Sequence, residues 1–140
     1  YHLYNLCNDS HMTVKKSKYY YPWSMEILNQ KKMFISGDSE GNLRLYSMSF
    51  QSSKFLKLQK MIKFPSDHEI SRIDILNRNY IAAANKNKYL NMVNLHTGNI
   101  KLKEFNEIED KIYDFRIDAK YKVLVLKDGM ANNTRYHLIK

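Results

Sequence analysis

The stretches "MFISGDSEGNLRLY" (residues 33–46) and "YIAAANKNKYLNMV" (residues 80–93) align without a gap, 47 positions apart. Phe34 falls on Ile81, Ile35 on Ala82, Leu43 on Leu90 and Leu45 on Met92. Self-similarity at such a period decides the fold, because each copy is one supersecondary unit whose apolar face its neighbour must cover. A short alternating run precedes each copy: Met25 and Ile27 alternate with Ser24 and Glu26, Ile73 and Ile75 with Arg72 and Asp74. Another follows each, with Leu56 and Leu58 beside Lys57 and Gln59, then Ile100 and Leu102 beside Lys101 and Lys103. A third unit opens on "KIYDFRID" (111–118) and continues with "YKVLVL" (121–126), where the second has "NYIAAA" (79–84).

Alternation with period two over short runs is the pattern of a half-buried strand, and continuous runs such as "VLVL" are that of a strand buried on both faces. No stretch carries the i, i+3, i+4, i+7 apolar stripe of a helix, so the chain reads as all-β. Each unit holds four short strands, here a, b, c and d in chain order. Four strands at a spacing of about 42 to 48 residues is the arithmetic of a β-propeller blade built from a four-stranded antiparallel sheet.

The N-terminal "YHLYNL" (1–6) resembles strand c, and "HMTVK" (11–15) resembles strand d. The C-terminal "TRYHLIK" (134–140) falls at strand c. The expected organisation of residues 1–140 is therefore part of one β-propeller domain. Residues 1–18 end a blade, 19–66 and 67–107 each form one, and 108–140 begin an incomplete one. About three blades do not close a ring whose usual size is four to eight. An open fan would expose apolar blade faces, which a soluble monomer rarely tolerates. The expectation is a window of a longer chain, or a ring that other copies or partners complete.

At this point a family resemblance becomes visible. "FISGDSEGNLRLYSM" (34–48) resembles the strand b, turn, strand c core of a WD-repeat, in which Ser-Gly, an acidic residue, a Gly and an aromatic-ended strand follow one another. Asp67-His68 is similar to the Gly-His pair that opens such a repeat. "LYNL", "LYSM" and "MVNL" stand where the family has Trp-Asp. No unit has both the His and the Trp, Lys88 replaces the turn Gly in the second unit, and "DGMANN" (128–133) lengthens the turn of the third. The resemblance covers residues 19 to 140. It implies a rigid, non-catalytic platform: a scaffold or recruiting subunit that binds peptides or other protein subunits of a complex.

Composition narrows the classes. The longest apolar runs, "YIAAA" and "VLVL", are too short to span a bilayer, so no membrane partner is expected. A single cysteine, Cys7, leaves no internal disulfide and no cysteine-based zinc site. A reducing compartment, cytoplasmic or nuclear, is the expectation. The net charge of +9 invites an RNA or other acidic partner. Yet Lys (18) far outnumbers Arg (5), the better phosphate and base reader, and Lys, Asn, Ile and Tyr fill 55 of 140 positions. A low-GC genome would yield the same excess.

"GDSEG" (37–41) matches the G-x-S-x-G pattern that presents a nucleophilic serine. That elbow requires a helix after the serine. "NLRLYSM" follows instead and alternates as a strand, so Gly41 is expected at positive φ, closing a b–c hairpin, with Ser39 facing solvent. The five histidines form no H-x-x-x-H or H-E-x-x-H pair, and the four glycines form no phosphate loop. No cofactor, metal, catalytic residue or small-molecule substrate is expected. "EFNEIED" (104–110) reads as a solvated acidic d–a connection. "SKYYYPWS" (17–24) reads as an aromatic d–a connection of the kind that anchors interfaces. The candidate contacts for a partner are Tyr21, Trp23, Glu40, His68, Glu69, Asp110 and Lys111, on the side of the d–a and b–c turns.

Overall fold

The computed structural model describes the backbone of residues 2–5, 10–13, 22–49, 55–85, 87–105, 108, 111–118, 123–128 and 135–139, and side chains between 24 and 118. The described elements are strands throughout except one 3-10 turn, Asn29–Lys31. β1 (His2–Asn5) and β2 (Ser10–Thr13) form an antiparallel hairpin. β3 (Pro22–Leu28), β4 (Met33–Asp38), β5 (Asn42–Met48) and β6 (Leu56–Lys63) form the first four-stranded antiparallel sheet, in chain order. β7 (Arg72–Ile75), β8 (Tyr80–Ala84), β9 (Tyr89–Asn94) and β10 (Ile100–Glu104) repeat it. β11 (Ile112–Asp118), β12 (Val123–Asp128) and β13 (Arg135–Ile139) form a third sheet of three strands. The all-β class and the antiparallel four-stranded blades expected from the repeat are present: the chain folds as a segment of a β-propeller.

The alternation has a direct physical cause. In β8, Ile81 and Ala83 enter a core shared with the first sheet, whose members include Ile35, Leu43, Leu45 and Ile62. Ala82 and Ala84 enter a second core with Phe105, Ile108, Ile112 and Phe115 on the third-sheet side. The strand is thus buried on both faces, and its alanines let large side chains from either side approach closely. Strand d of each full sheet is the opposite case. Lys57 and Lys63 in β6, and Lys101 and Lys103 in β10, are exposed. Lysines at the outer edge discourage pairing with another chain.

Strand a of each sheet packs against strand a of the next: β3 against β7, and β7 against β11. Polar bonds cross these seams. The Ile70 amide donates to the Asp38 carbonyl at 3.0 Å and the Ile112 amide to the Asn87 carbonyl at 2.9 Å. The Ile117 amide donates to Asp74 Oδ2 at 3.1 Å. The Arg72 guanidinium lies between carboxylates of both neighbours, 4.0 Å from Glu26 and 3.7 Å from Asp114. Burial pushes the Glu26 carboxyl above its ordinary range, with Asp74 adding to the rise and Arg72 opposing it.

Two sequence expectations change here. Pro22 and Trp23 belong to strand β3 rather than to the connection before it. Pro is tolerated as the first residue of a strand, where its missing N–H breaks no ladder bond, and the β3–β4 register shifts between Pro22 and Ser24. Met25 and Ile27 supply the alternation in β3, but they are 49% and 45% exposed. It is Leu28 that enters the core between the sheets, and Met25 and Ile27 face the other way.

Candidate functional site

The end of the sheets that carries the b–c and d–a connections is organised around a buried carboxylate. Asp38 is 1% exposed. Its Oδ1 accepts the backbone N–H of Glu40 at 2.9 Å and of Asn42 at 2.8 Å. Its Oδ2 accepts Asn42 Nδ2 at 2.9 Å and Arg44 Nη2 at 3.3 Å. A carboxylate is stable out of water only with this degree of pairing and hydrogen bonding. The result is a rigid b–c turn between β4 and β5.

Gly41 closes that turn at φ +76°, as the hairpin reading requires. Its role extends further than φ. A Cβ built there would lie 2.5 Å from the Ser66 carbonyl oxygen and 2.9 Å from that of His68. Only glycine lets the d–a connection lie against the b–c turn. The Phe64 amide donates to the Gly41 carbonyl at 2.9 Å, and Lys63 Nζ donates to the Glu40 carbonyl. Lys63 also pairs with Asp67 at 2.8 Å, and its ammonium holds that carboxyl below the usual range. Ser39 is half-buried in the turn, and strand β5, not a helix, follows it. No nucleophile elbow is formed.

The second unit builds the same corner without charge. Asn85 stands at the position of Asp38 and Asn91 at that of Arg44. Asn91 Nδ2 donates to Asn85 Oδ1 at 3.0 Å and to the Ala83 carbonyl at 3.1 Å. Asn85 Nδ2 donates to Ser66 Oγ, tying this turn to the connection from the first sheet. Both members of the buried ion pair are replaced together, which avoids leaving one charge unpaired.

Of the candidate contacts, Glu40, His68 and Glu69 come together where the 38–42 turn meets the 64–71 connection, with Glu40 and His68 exposed and Glu69 half-buried. The exposed Lys111 precedes Ile112, whose amide bonds Asn87 in the b–c turn of the second sheet, so it lies at the same end. The His68 carbonyl oxygen lies against Gly41, and the residue is exposed. Trp23 sits in β3, between the paired positions Pro22 and Ser24, and its side chain lies outside the described residues. Tyr21 and Asp110 lie outside them entirely. Among the described residues, no three His, Cys, Asp or Glu side chains gather closely enough to share an ion.

Sequence reasoning missed Asp38, Asn42 and Arg44, which build the turn that displays Glu40. A signal was present: the 47-residue offset superposes Asp38 on Asn85, each where its strand b ends, and Arg44 on Asn91, each a polar residue between two apolar ones in strand c.

No protein-family model matches the chain, and no curated protein matches it by sequence. Its fold does match solved structures. A chain in the crystal structure of the mitotic checkpoint complex superposes with a TM-score of 0.71 at 9% sequence identity. The match covers 90% of this chain and 37% of that one, so this sequence spans little more than a third of its structural neighbour. At that identity the likeness is one of fold.

Proposed function

We propose that this chain forms part of a non-catalytic, WD-repeat-like β-propeller that serves as a protein–protein interaction scaffold or recruiting subunit of a multiprotein complex. The observation that carries the reading is the pinned end of the sheets. Asp38, Gly41 and the 64–71 connection form one hydrogen-bonded rim that fixes the backbone from which Glu40, His68 and Glu69 project. Surfaces that need no ordering on binding lose less affinity to conformational entropy. The structural neighbour is a member of a protein complex, which supports protein partners. The reading places the chain in the cytoplasm or nucleus, with residues 19–66 and 67–107 as blades, 1–18 ending one and 108–140 starting another.

Affinity capture with wild-type protein and with a Glu40→Lys, His68→Ala, Lys111→Glu variant of unchanged circular dichroism tests this. The expected result is a defined set of captured subunits that the variant loses. Equal recovery by both proteins would remove this end as the docking surface. The net charge of +9 favours a second class of partner, RNA or another polyanion within a ribonucleoprotein assembly. A salt titration of complex formation separates the classes, because counterion release makes polyanion binding fall steeply with salt.

A further inference from the structure

Net charge differs between the two ends of the sheets. The a–b and c–d connections emerge at the end opposite the Asp38 corner. Among the described residues, the connections of that type (29–32, 76–79 and 95–99) hold Lys31, Lys32 and Arg78 and no carboxylate. The described residues of the b–c and d–a connections hold Lys88 and Lys111 against three carboxylates, Glu40, Asp67 and Glu69. The difference lies chiefly in the carboxylates, whose placement a lysine excess from codon composition does not set.

The described part of this end is continuous and pre-shaped. Lys31 Nζ donates to Asn79 Oδ1 at 3.0 Å, joining the a–b turns of the two full sheets. The Leu95 amide donates to the Asn79 carbonyl at 2.9 Å, and Lys60 Nζ to the His96 carbonyl at 3.0 Å. Asn77 Oδ1 accepts the Asn79 and Tyr80 amides, and Asn94 Oδ1 those of His96 and Thr97. Lys32 sits in the left-handed region at φ +48° at the end of its turn. Lys32 and Arg78 are exposed, and neither has a carboxylate partner among the described residues. Beside them Tyr80, 40% exposed, has its hydroxyl fixed by Asn94 Nδ2 at 3.0 Å, leaving its ring available.

We infer that this end is a second interaction surface, distinct from the protein-docking rim, and that its ligand is single-stranded nucleic acid. Lys31, Lys32, Lys60 and Arg78 contact phosphates, and Tyr80 and His96 offer flat rings on which bases stack. Unpaired cations interleaved with an aromatic ring fit a single strand, which supplies both phosphates and exposed base faces. An anionic bilayer also requires an apolar group to insert, and the described residues of these turns present none beyond the tethered Tyr80. An acidic peptide would satisfy the cations but leave the ring unused.

Fluorescence anisotropy of the whole chain with a labelled oligouridylate of about twelve nucleotides tests the inference across a potassium chloride series. A Lys32→Glu, Arg78→Glu variant is expected to bind at least ~10-fold more weakly. Its log–log salt slope should be shallower by about 1.4, at roughly 0.7 for each single-strand phosphate that is no longer neutralised. Tyr80→Leu should lose at least about fivefold against the oligonucleotide and less than about twofold against polyglutamate. Lys88→Glu, exposed in the b–c turn at the other end, should change neither by more than about twofold. Wild-type affinity in the double variant, or an equal loss in Lys88→Glu, would overturn the site. Equal losses in Tyr80→Leu against both polymers, or binding to phosphatidylserine vesicles in preference to the oligonucleotide, would overturn the choice of ligand.

Discussion

Replacing Gly41 by alanine tests the reasoning at the corner where two connections meet. Two costs add. A Cβ at φ +76° places an L-residue in the left-handed region, worth about 1–2 kcal/mol. The same Cβ would sit 2.5 Å from the Ser66 carbonyl oxygen. Backbone cannot swing aside as a side chain does, so the 64–71 connection must retreat and strain the bond from the Phe64 amide to the Gly41 carbonyl, a further cost of about 1–2 kcal/mol. The sum is about 2–4 kcal/mol. With a urea m-value near 2 kcal/mol/M, the midpoint should fall by roughly 1–2 M. Gly98 provides the internal control. Its φ is +83°, but its Cβ would meet Lys60 Nζ at 3.0 Å, the end of a long side chain that can shift where backbone cannot. Gly98→Ala should therefore cost only the conformational part, about 1–2 kcal/mol. Urea titrations of the three proteins by tyrosine and tryptophan fluorescence decide the matter. Equal midpoints for the two variants, or a lower one for Gly98→Ala, would refute the claim that the d–a connection rests on Gly41.

Asp38→Ala should cost about 3–5 kcal/mol, since it leaves Arg44 and two backbone amides without their acceptor; urea denaturation measures it. Ser39→Ala should stay within about 0.5 kcal/mol in the same titration, and labelling by a serine-directed probe should not depend on it. Ile73→Ala, at a position 1% exposed between the sheets, should cost about 2–5 kcal/mol, whereas Met25→Ala at the matching place in β3 should cost less than about 1 kcal/mol. Glu26 has a raised carboxyl, so its ionised form is less favourable in the fold than in the unfolded chain. That penalty is complete above the folded value and is relieved as pH falls through it. Glu26→Gln should therefore stabilise the chain slightly at pH 7, by less than about 1 kcal/mol. The gain should vanish as pH drops to the ordinary carboxylate range, which thermal denaturation across pH will show.

The strand order was legible because a blade writes itself into local sequence. β8 is buried on both faces and reads as an unbroken apolar run, while β6 and β10 at the outer edge alternate with lysine. The turn at Gly41 was legible from its glycine followed by an alternating strand. Burial that depends on another sheet was not. Met25 and Ile73 look alike in sequence, yet Ile73 is buried between the sheets while Met25 is half exposed. Asp38 reads as a loop residue because its four donors include two backbone amides and a guanidinium six residues away. The basic end was illegible for a related reason. Lys31 and Asn79 meet through space across 48 residues, and a composition count registers only their sum.

The central claim is that successive sheets are blades locked strand a against strand a, with the end connections pinned across each seam. Site-resolved hydrogen exchange of the Ile70, Ile112 and Ile117 amides tests it most directly. Each donates to the preceding sheet, to Asp38, Asn87 and Asp74 respectively. All three should exchange as slowly as the amides paired within β8 and β9, and Asp74→Ala should release Ile117 alone. Exchange of Ile70 and Ile112 at the rate of solvent-exposed connection amides would contradict the blade packing.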